Sequence, residues 1–177
     1  RELLAYLAGR NIPAGLARQY LQEVHYRFEG KAFKALAFAN SQGGHEMRST
    51  GRFKGTLPPK GITLLHSEKM TEGGAVTVFE GFTDYLSALV YYRRTEAETP
   101  VIVLNSAAMR EQAMQAVHAL GARKVHLYLD RDETGQRLVE HFREALPEME
   151  VIDHSSLYEE HKDFNAFLMA RRVARVR

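Results

Sequence analysis

The sequence predicts an α/β fold, a parallel sheet with helices on both faces, preceded by a small α+β subdomain of basic character. Three observations carry this. From residue 75 onward, short apolar runs alternate with helix-period segments, which implies right-handed crossovers and parallel strands. Before residue 70 the rhythm differs: two short helices are followed by alternating strands and tight turns. The charge also changes sign. Residues 1–70 carry 11 Lys and Arg against 5 Glu, a surplus of +6, whereas residues 71–177 carry 13 against 17, a deficit of −4. The predicted division is therefore 1–70 and 71–177, with Lys69 to Gly74 (KMTEGG) as the boundary.

In chain order, ELLAYLAG (2–9) is expected to form a helix ending at Gly9, and Pro13 to open a second one running to Leu21. VHYRF (24–28) alternates as a strand does, Glu29-Gly30 forms a turn, and KAFKALAFAN follows as the second strand. HEMRS is the third candidate strand and ITLLH (62–66) the fourth, which completes an antiparallel meander. AVTVFE (75–80) is a buried-type strand and TDYLSALVYYRR (83–94) an amphipathic helix. VIVLN (101–105) with residues 107–120, KVHLYLD (124–130) with residues 134–146, and EVIDHS (150–155) with the helix DFNAFLMARRV repeat the pair.

Composition sets the limits. The chain has 177 residues, 45% hydrophobic and 26% charged, enough apolar material for a core. No apolar run approaches the roughly 18–20 residues needed to span a membrane, and no signal peptide is evident, so a cytoplasmic location with no membrane partner is expected. Cysteine is absent, which excludes disulfides and thiolate zinc sites within these residues. The chain opens on Arg1 rather than Met, so it is expected to be part of a longer protein. A basic half joined to an acidic half suits a polyanion held by one part and a cation held by the other; ordinary surface scatter is the alternative.

Open α/β sheets bind ligands beyond the carboxyl ends of their strands. Here those ends carry Glu80-Gly81, Asn105-Ser106 and Asp130-Arg131-Asp132. If the first and third strands are neighbours, Glu80, Asp130 and Asp132 converge. The two aspartates leave extended backbone on the same side. Three gathered carboxylates resist ionisation, and a hard divalent cation relieves them, Mg²⁺ taking a few carboxylates plus water and phosphate oxygens. Gly81 and Gly135 are expected to relieve the backbone at the turns. The competing reading is structural, with Asp132 and Thr134 capping a helix, Asp84 interacting with a helix dipole and Asp130 serving as a turn residue. Asn105-Ser106 likewise reads either as a nucleotide-positioning pair or as a structural turn.

Glu80-Gly81-Phe82-Thr83-Asp84 resembles the EGxxD signature of Toprim domains, and Asp130-Arg131-Asp132-Glu133-Thr134-Gly135 resembles their DxDxxG signature. The best match is to bacterial DnaG-type primases and the primase-like Toprim proteins of phages and mobile elements. Topoisomerases fit less well, since they carry a DxDxD run and Thr134 stands in the last acidic place. Lys162-Asp163-Phe164-Asn165-Ala166-Phe167-Leu168 is similar to the KDPDEFL-type primase motif, with Asn165 standing where a second acid is usual. The basic first half resembles the subdomain that precedes Toprim in those proteins.

The resemblance implies a Toprim (Rossmann-like) fold and an Mg²⁺-dependent (or Mn²⁺-dependent) nucleotidyltransferase that makes RNA primers from NTPs on a single-stranded DNA template. A replicative helicase is the implied partner, and a zinc module upstream of Arg1 is the implied neighbour. Catalysis falls to Glu80, Asp130 and Asp132. Metal binding falls to these three with Asp84 and Asp163. Arg48, Arg52, Lys54 and Lys60, with Asn105 and Ser106, are the expected nucleic-acid and nucleotide contacts; solvated surface charge is the alternative for the four basic residues. Two rival functions are a Toprim nuclease hydrolysing the same bond and a non-catalytic nucleic-acid-binding module. The arginines of the tail, 171–177, read as either a nucleic-acid arm or a frayed end.

Overall fold

The computed structural model describes residues 2–50 and 53–171. Helix α1 (Glu2–Gly9) and helix α2 (Ala14–Tyr20) lead into β1 (Leu21–Phe28), β2 (Lys31–Ala39), β3 (His45–Arg48) and β4 (Lys54–Leu57). These four strands form an antiparallel sheet in the order β1-β2-β3-β4. The β1–β2 hairpin turns on Glu29 and Gly30, both at positive φ (48° and 76°), the two-residue geometry whose twist matches the flanking strands. Strand β4 was not foreseen. KGTL has no apolar alternation, and Gly55 is there because Phe53 folds over it: a Cβ would lie 2.8 Å from the Phe53 ring.

The fourth strand expected of the meander lies elsewhere. Strand β5 (Thr63–Leu65) pairs antiparallel with β7 (Val101–Val103) at the edge of a second sheet, ordered β5-β7-β6-β8-β9. Neighbouring Ile62 belongs to the core of that larger sheet, so its burial is gained there and not on the meander. Thr63 Oγ1 donates to Ala39 O at 2.9 Å and ties the two sheets together.

Strands β6 (Ala75–Phe79), β7, β8 (Lys124–Tyr128) and β9 (Glu150–Asp153) run parallel. Both sheet faces are covered, as continuous apolar strands require. On one face, Phe79, Val103 and Tyr128 pack under α3 (Phe82–Tyr91) and α6 (Phe164–Ala170). The other face presents Val76, Val78, Val125 and Leu127 to α4 (Arg110–Ala119) and α5 (Glu133–Ala145). The first core extends into the small sheet and its helices through Leu3, Leu7, Leu16, Leu36 and Phe38. Phe38 and Phe82 rings stack at 5.1 Å, which sets the basic sheet against the start of α3. No helix among the described residues is long and apolar enough to cross a membrane.

This topology builds a crevice. Strands β6 and β8 are neighbours, and the helices that follow them, α3 and α5, pack on opposite faces. The carboxyl ends of β6 and β8 therefore mark the switch point where such sheets bind ligands.

Candidate active site

Glu80 follows β6 and Asp130 follows β8, so the expected neighbouring of these strands brings the two acids together. Asp130 N–H donates to Glu80 Oε2 at 3.0 Å. Asp132 caps α5 by accepting from Gly135 N–H at 3.1 Å, and Asp163 caps α6 by accepting from Ala166 N–H at 2.7 Å. Asp84, in the first turn of α3 and only 6% exposed, accepts from Asn165 N–H at 3.0 Å. Four carboxylates thus each commit one oxygen to a backbone N–H, which fixes the side chain and leaves the second oxygen for another partner. The capping and ligand readings of Asp132 are compatible, because they use different oxygens.

The cluster resists ionisation. Burial, then the Asp130 charge, pushes the Glu80 carboxyl up to about 7. Burial, then Asp163 and Asp130, holds Asp84 well above the usual carboxylate range. Asp130 is raised by burial and then by Asp163. The internal answer to this charge is Lys162, whose Nζ stands 3.5 Å from Asp130 and 3.6 Å from Asp132 and whose own pKa rises chiefly through Asp130. Among the described residues, no three of these groups already surround one point at liganding distance. The donor set nevertheless suits a hard divalent ion: several carboxylate oxygens, fixed from behind, with an ammonium where positive charge is wanted.

A pH dependence follows. Between 4.5, the ordinary Glu value, and about 7, folded Glu80 keeps a proton that the unfolded chain has released. The contribution of Glu80 to stability without metal is therefore full below 4.5 and is lost as pH rises to about 7, a change of about 3 kcal/mol. The metal-free melting temperature should fall more between pH 5 and pH 8 in the wild type than in Glu80→Gln. Equal slopes in a thermal scan would contradict it.

The same cleft has a basic wall. A cavity of about 200 Å³ is lined by Glu80, Asp84, Asp130 and Asp163, and also by Arg10, Arg48, Lys54, Asn105, Ser106 and Lys162. Arg48, Lys54, Asn105 and Ser106 continue into an adjoining pocket of about 270 Å³ that Lys60 also lines. The structure thus brings Arg48 and Lys54 beside the acids and places Lys60 in the adjoining pocket; Arg52 lies outside the described residues. The tail arginines beyond Arg171 lie outside them too. Asn105 has φ 64°, and its Nδ2 donates to Gly61 O and Thr63 Oγ1, both at 3.0 Å. Its amide shapes the turn and its side chain lines the cleft.

Sequence reasoning missed Arg10 altogether. It lies after α1, and no local motif marks it; only the shared core carries it to the site. Lys162 stood inside the Lys-Asp motif without a role. Asn165 is not left open as a ligand. It is fully buried, its Oδ1 accepts from Arg10 Nη1 at 2.7 Å, and its Nδ2 donates to Arg10 O at 3.0 Å and Ser87 Oγ at 2.8 Å. The amide bolts α1, α3 and α6 together behind Asp84. Asn165→Ala should cost roughly 2–4 kcal/mol, because it strands buried polar groups on two other elements. Chemical denaturation reads this, and a loss under 1 kcal/mol would show that the network is dispensable.

An α/β domain with acids at its switch point and a basic antiparallel sheet beside it is the class that the geometry defines. Residues 77–168, over half of the chain, match the Toprim-like family model, and the chain belongs to that family. Residues 1–58 match a domain of unknown function (DUF8464). No curated protein matches the sequence. Among solved structures, the primase fragment of the bacteriophage T7 primase-helicase protein is similar over 90% of this chain and 66% of its own, with 18% identity and a TM-score of 0.63. The Aquifex aeolicus primase (zinc binding and RNA polymerase domains) is similar over 84% of this chain and 48% of its own, with 18% identity and a TM-score of 0.59. A chain from the structure of the bacteriophage T7 lagging-strand DNA polymerase interacting with primase domains bound to an RNA/DNA hybrid is similar over 91% of this chain and 89% of its own, with 15% identity and a TM-score of 0.59. The fold is that of a primase-like Toprim protein, and the chain spans about two thirds of the T7 fragment and half of the Aquifex one.

Proposed function

We propose that this chain is a primase-like catalytic core, joining ribonucleotides on a single-stranded DNA template with Mg²⁺ or Mn²⁺. The observation that carries this reading is the single cleft in which strand-end carboxylates face basic side chains from a second sheet. In it, residues 1–70 form the basic subdomain and 71–177 the Toprim domain, with β5 lent by the first to the second sheet.

Asp130, Asp132 and Glu80 would hold one divalent ion, and Asp84 and Asp163 would stand near a second. Such ions supply charge neutralisation at both oxygens of an in-line phosphoryl displacement. Asp130 and Asp132 keep rigid positions through β8 and the α5 cap. If Glu80 instead stays off the ion, its Oε1, the oxygen that the Asp130 N–H leaves free, can take the proton of an attacking 3′-hydroxyl. Lys162 then releases its aspartates and meets phosphate. Arg48, Lys54 and Lys60, with Arg52 from its sequence position, neutralise backbone and triphosphate charge, so template binding weakens steeply with salt.

The assay supplies template, NTPs and Mg²⁺, and separately a preformed RNA primer for extension. RNA synthesis or extension is the expected result. Nicking without synthesis would favour a Toprim nuclease. Template binding and cellular function that survive both Asp130→Asn and Asp132→Asn would favour a binding module. A helicase or zinc-module partner, as the names of the T7 and Aquifex proteins suggest, would be supplied by chain outside these residues or by a separate protein.

A further inference from the structure

One buried acid is not explained by the metal chemistry. Glu46 sits mid-strand in β3 and is 6% exposed. A carboxylate has about four acceptor positions. Among the described residues, Glu46 receives one hydrogen bond, from Thr56 Oγ1 to Oε2 at 3.2 Å. Arg48 Nη1 stands 3.9 Å away, beyond hydrogen-bond reach, and donates instead to Met47 O at 2.8 Å. The Arg48 guanidinium lies over the Phe82 ring. The pair is open, unlike the acids that cap helices behind the cleft. Burial pushes the Glu46 carboxyl up, so the fold bears a cost for keeping it there.

Glu46 lines the basic pocket of about 270 Å³ with Arg48, Lys54, Lys60 and Asn105. A negative group on the wall of a phosphate-sized basic pocket repels phosphate. The phosphates of a bound nucleotide therefore lie toward the adjoining cavity, which Glu46 does not line and where Arg10, Arg48, Lys54 and Lys162 stand beside the strand-end acids. What remains beside Glu46 is the neutral half, and that half carries donors: sugar hydroxyls and base N–H groups.

We infer that Glu46 is a specificity-determining residue whose carboxylate accepts hydrogen bonds from the neutral donor groups, sugar hydroxyls or base N–H, of the bound nucleotide. This rests on the nucleotide reading of the cleft.

The test measures binding of the four ribonucleoside triphosphates and their 2′-deoxy forms to the full chain with Mg²⁺, by competition against a fluorescent nucleotide. Wild type, Glu46→Gln and Glu46→Asp are compared. The glutamine keeps the shape and the Thr56 contact without the desolvated charge, so its melting temperature is expected to hold or rise. Its affinity for the preferred nucleotide is expected to fall roughly tenfold to a hundredfold, the range for a hydrogen bond to a charged group. If sugar hydroxyls are read, the ribo-to-deoxy ratio collapses equally for all four bases. If the base is read, the order among bases changes and that ratio stands. Glu46→Asp withdraws the carboxylate by one methylene and is expected to lose the same selectivity with charge retained. Unchanged selectivity in both variants overturns the inference alone, as does a uniform loss for all ligands with a lowered melting temperature. A wild type that takes no nucleotide overturns the inference and the nucleotide reading together.

Discussion

Gly135→Ala is expected to lower the melting temperature by roughly 6–12 °C and to displace both aspartates of the site. Its φ is not positive, so the requirement is proximity and not backbone freedom. The first turn of α5 presses on the end of β8 so closely that a Cβ at Gly135 would lie 1.8 Å from Asp130 O and 2.8 Å from its carbonyl carbon. Backbone, unlike a flexible side-chain tip, does not swing aside. Relief requires the Asp130 peptide or the whole helix start to move, and Asp130 and Asp132 move with it. Overpacking costs about 1–3 kcal/mol and occasionally more, with contact against unyielding backbone at the upper end, and for a chain of this size each kcal/mol shifts the midpoint by about 2–4 °C. Gly9 provides the contrast. It ends α1 with open space where a Cβ would stand, nothing lying within 4 Å, and Gly9→Ala should stay within about 0.5 kcal/mol. Calorimetry on the two variants reads the difference, and equal midpoints would contradict the close approach.

Asp130→Asn is expected to abolish RNA synthesis, by about 100-fold or more, while leaving the metal-free fold as stable as before or more so. The two halves of this prediction have one cause. Asp130 is forced up by burial and by Asp163, and it raises Glu80 and Asp84 in turn. Removing its charge relieves the cluster when no ion is present. In the proposed metal site it would also remove a hard oxygen anion from the ion's shell; losing even an outer-shell partner of a metal typically costs 10–100-fold. A residue kept for stability would show the reverse pattern, a lowered melting temperature with activity per folded molecule retained. Primer-extension rates and thermal scans at pH 7.5 on one preparation separate the two cases.

Much of the second domain was legible because its signals are local. Apolar runs such as AVTVF and KVHLY mark strands buried on both faces. Glu80 and Asp130 stand at their ends, and the expected neighbouring of β6 and β8 is what the sheet contains. What was not legible depends on distant partners. β5 has three residues, and its place is set by Val101–Val103, not by anything near it. β4 lacks alternation because Gly55 makes room for a ring from Phe53. Asn165 looked like a weakened ligand when set against a motif; its role depends on Arg10, at the other end of the chain. Arg10 itself reaches the cleft only because Leu3, Leu7 and Leu16 share a core with Phe82 and Phe164. Glu46 and Met47 are both buried in β3, and sequence periodicity does not say what Glu46 meets there.

In the proposed function, the acids after β6 and β8 form one divalent-ion site beside a nucleotide-holding basic wall. Mn²⁺ titration followed by electron paramagnetic resonance tests this most directly, on the full chain at pH 7.5, with and without ribonucleoside triphosphate, in wild type and Asp130→Asn. Saturable Mn²⁺ binding that tightens with nucleotide and weakens at least about tenfold in Asp130→Asn is the predicted result. Equal Mn²⁺ binding by both proteins, unmoved by nucleotide, would contradict it.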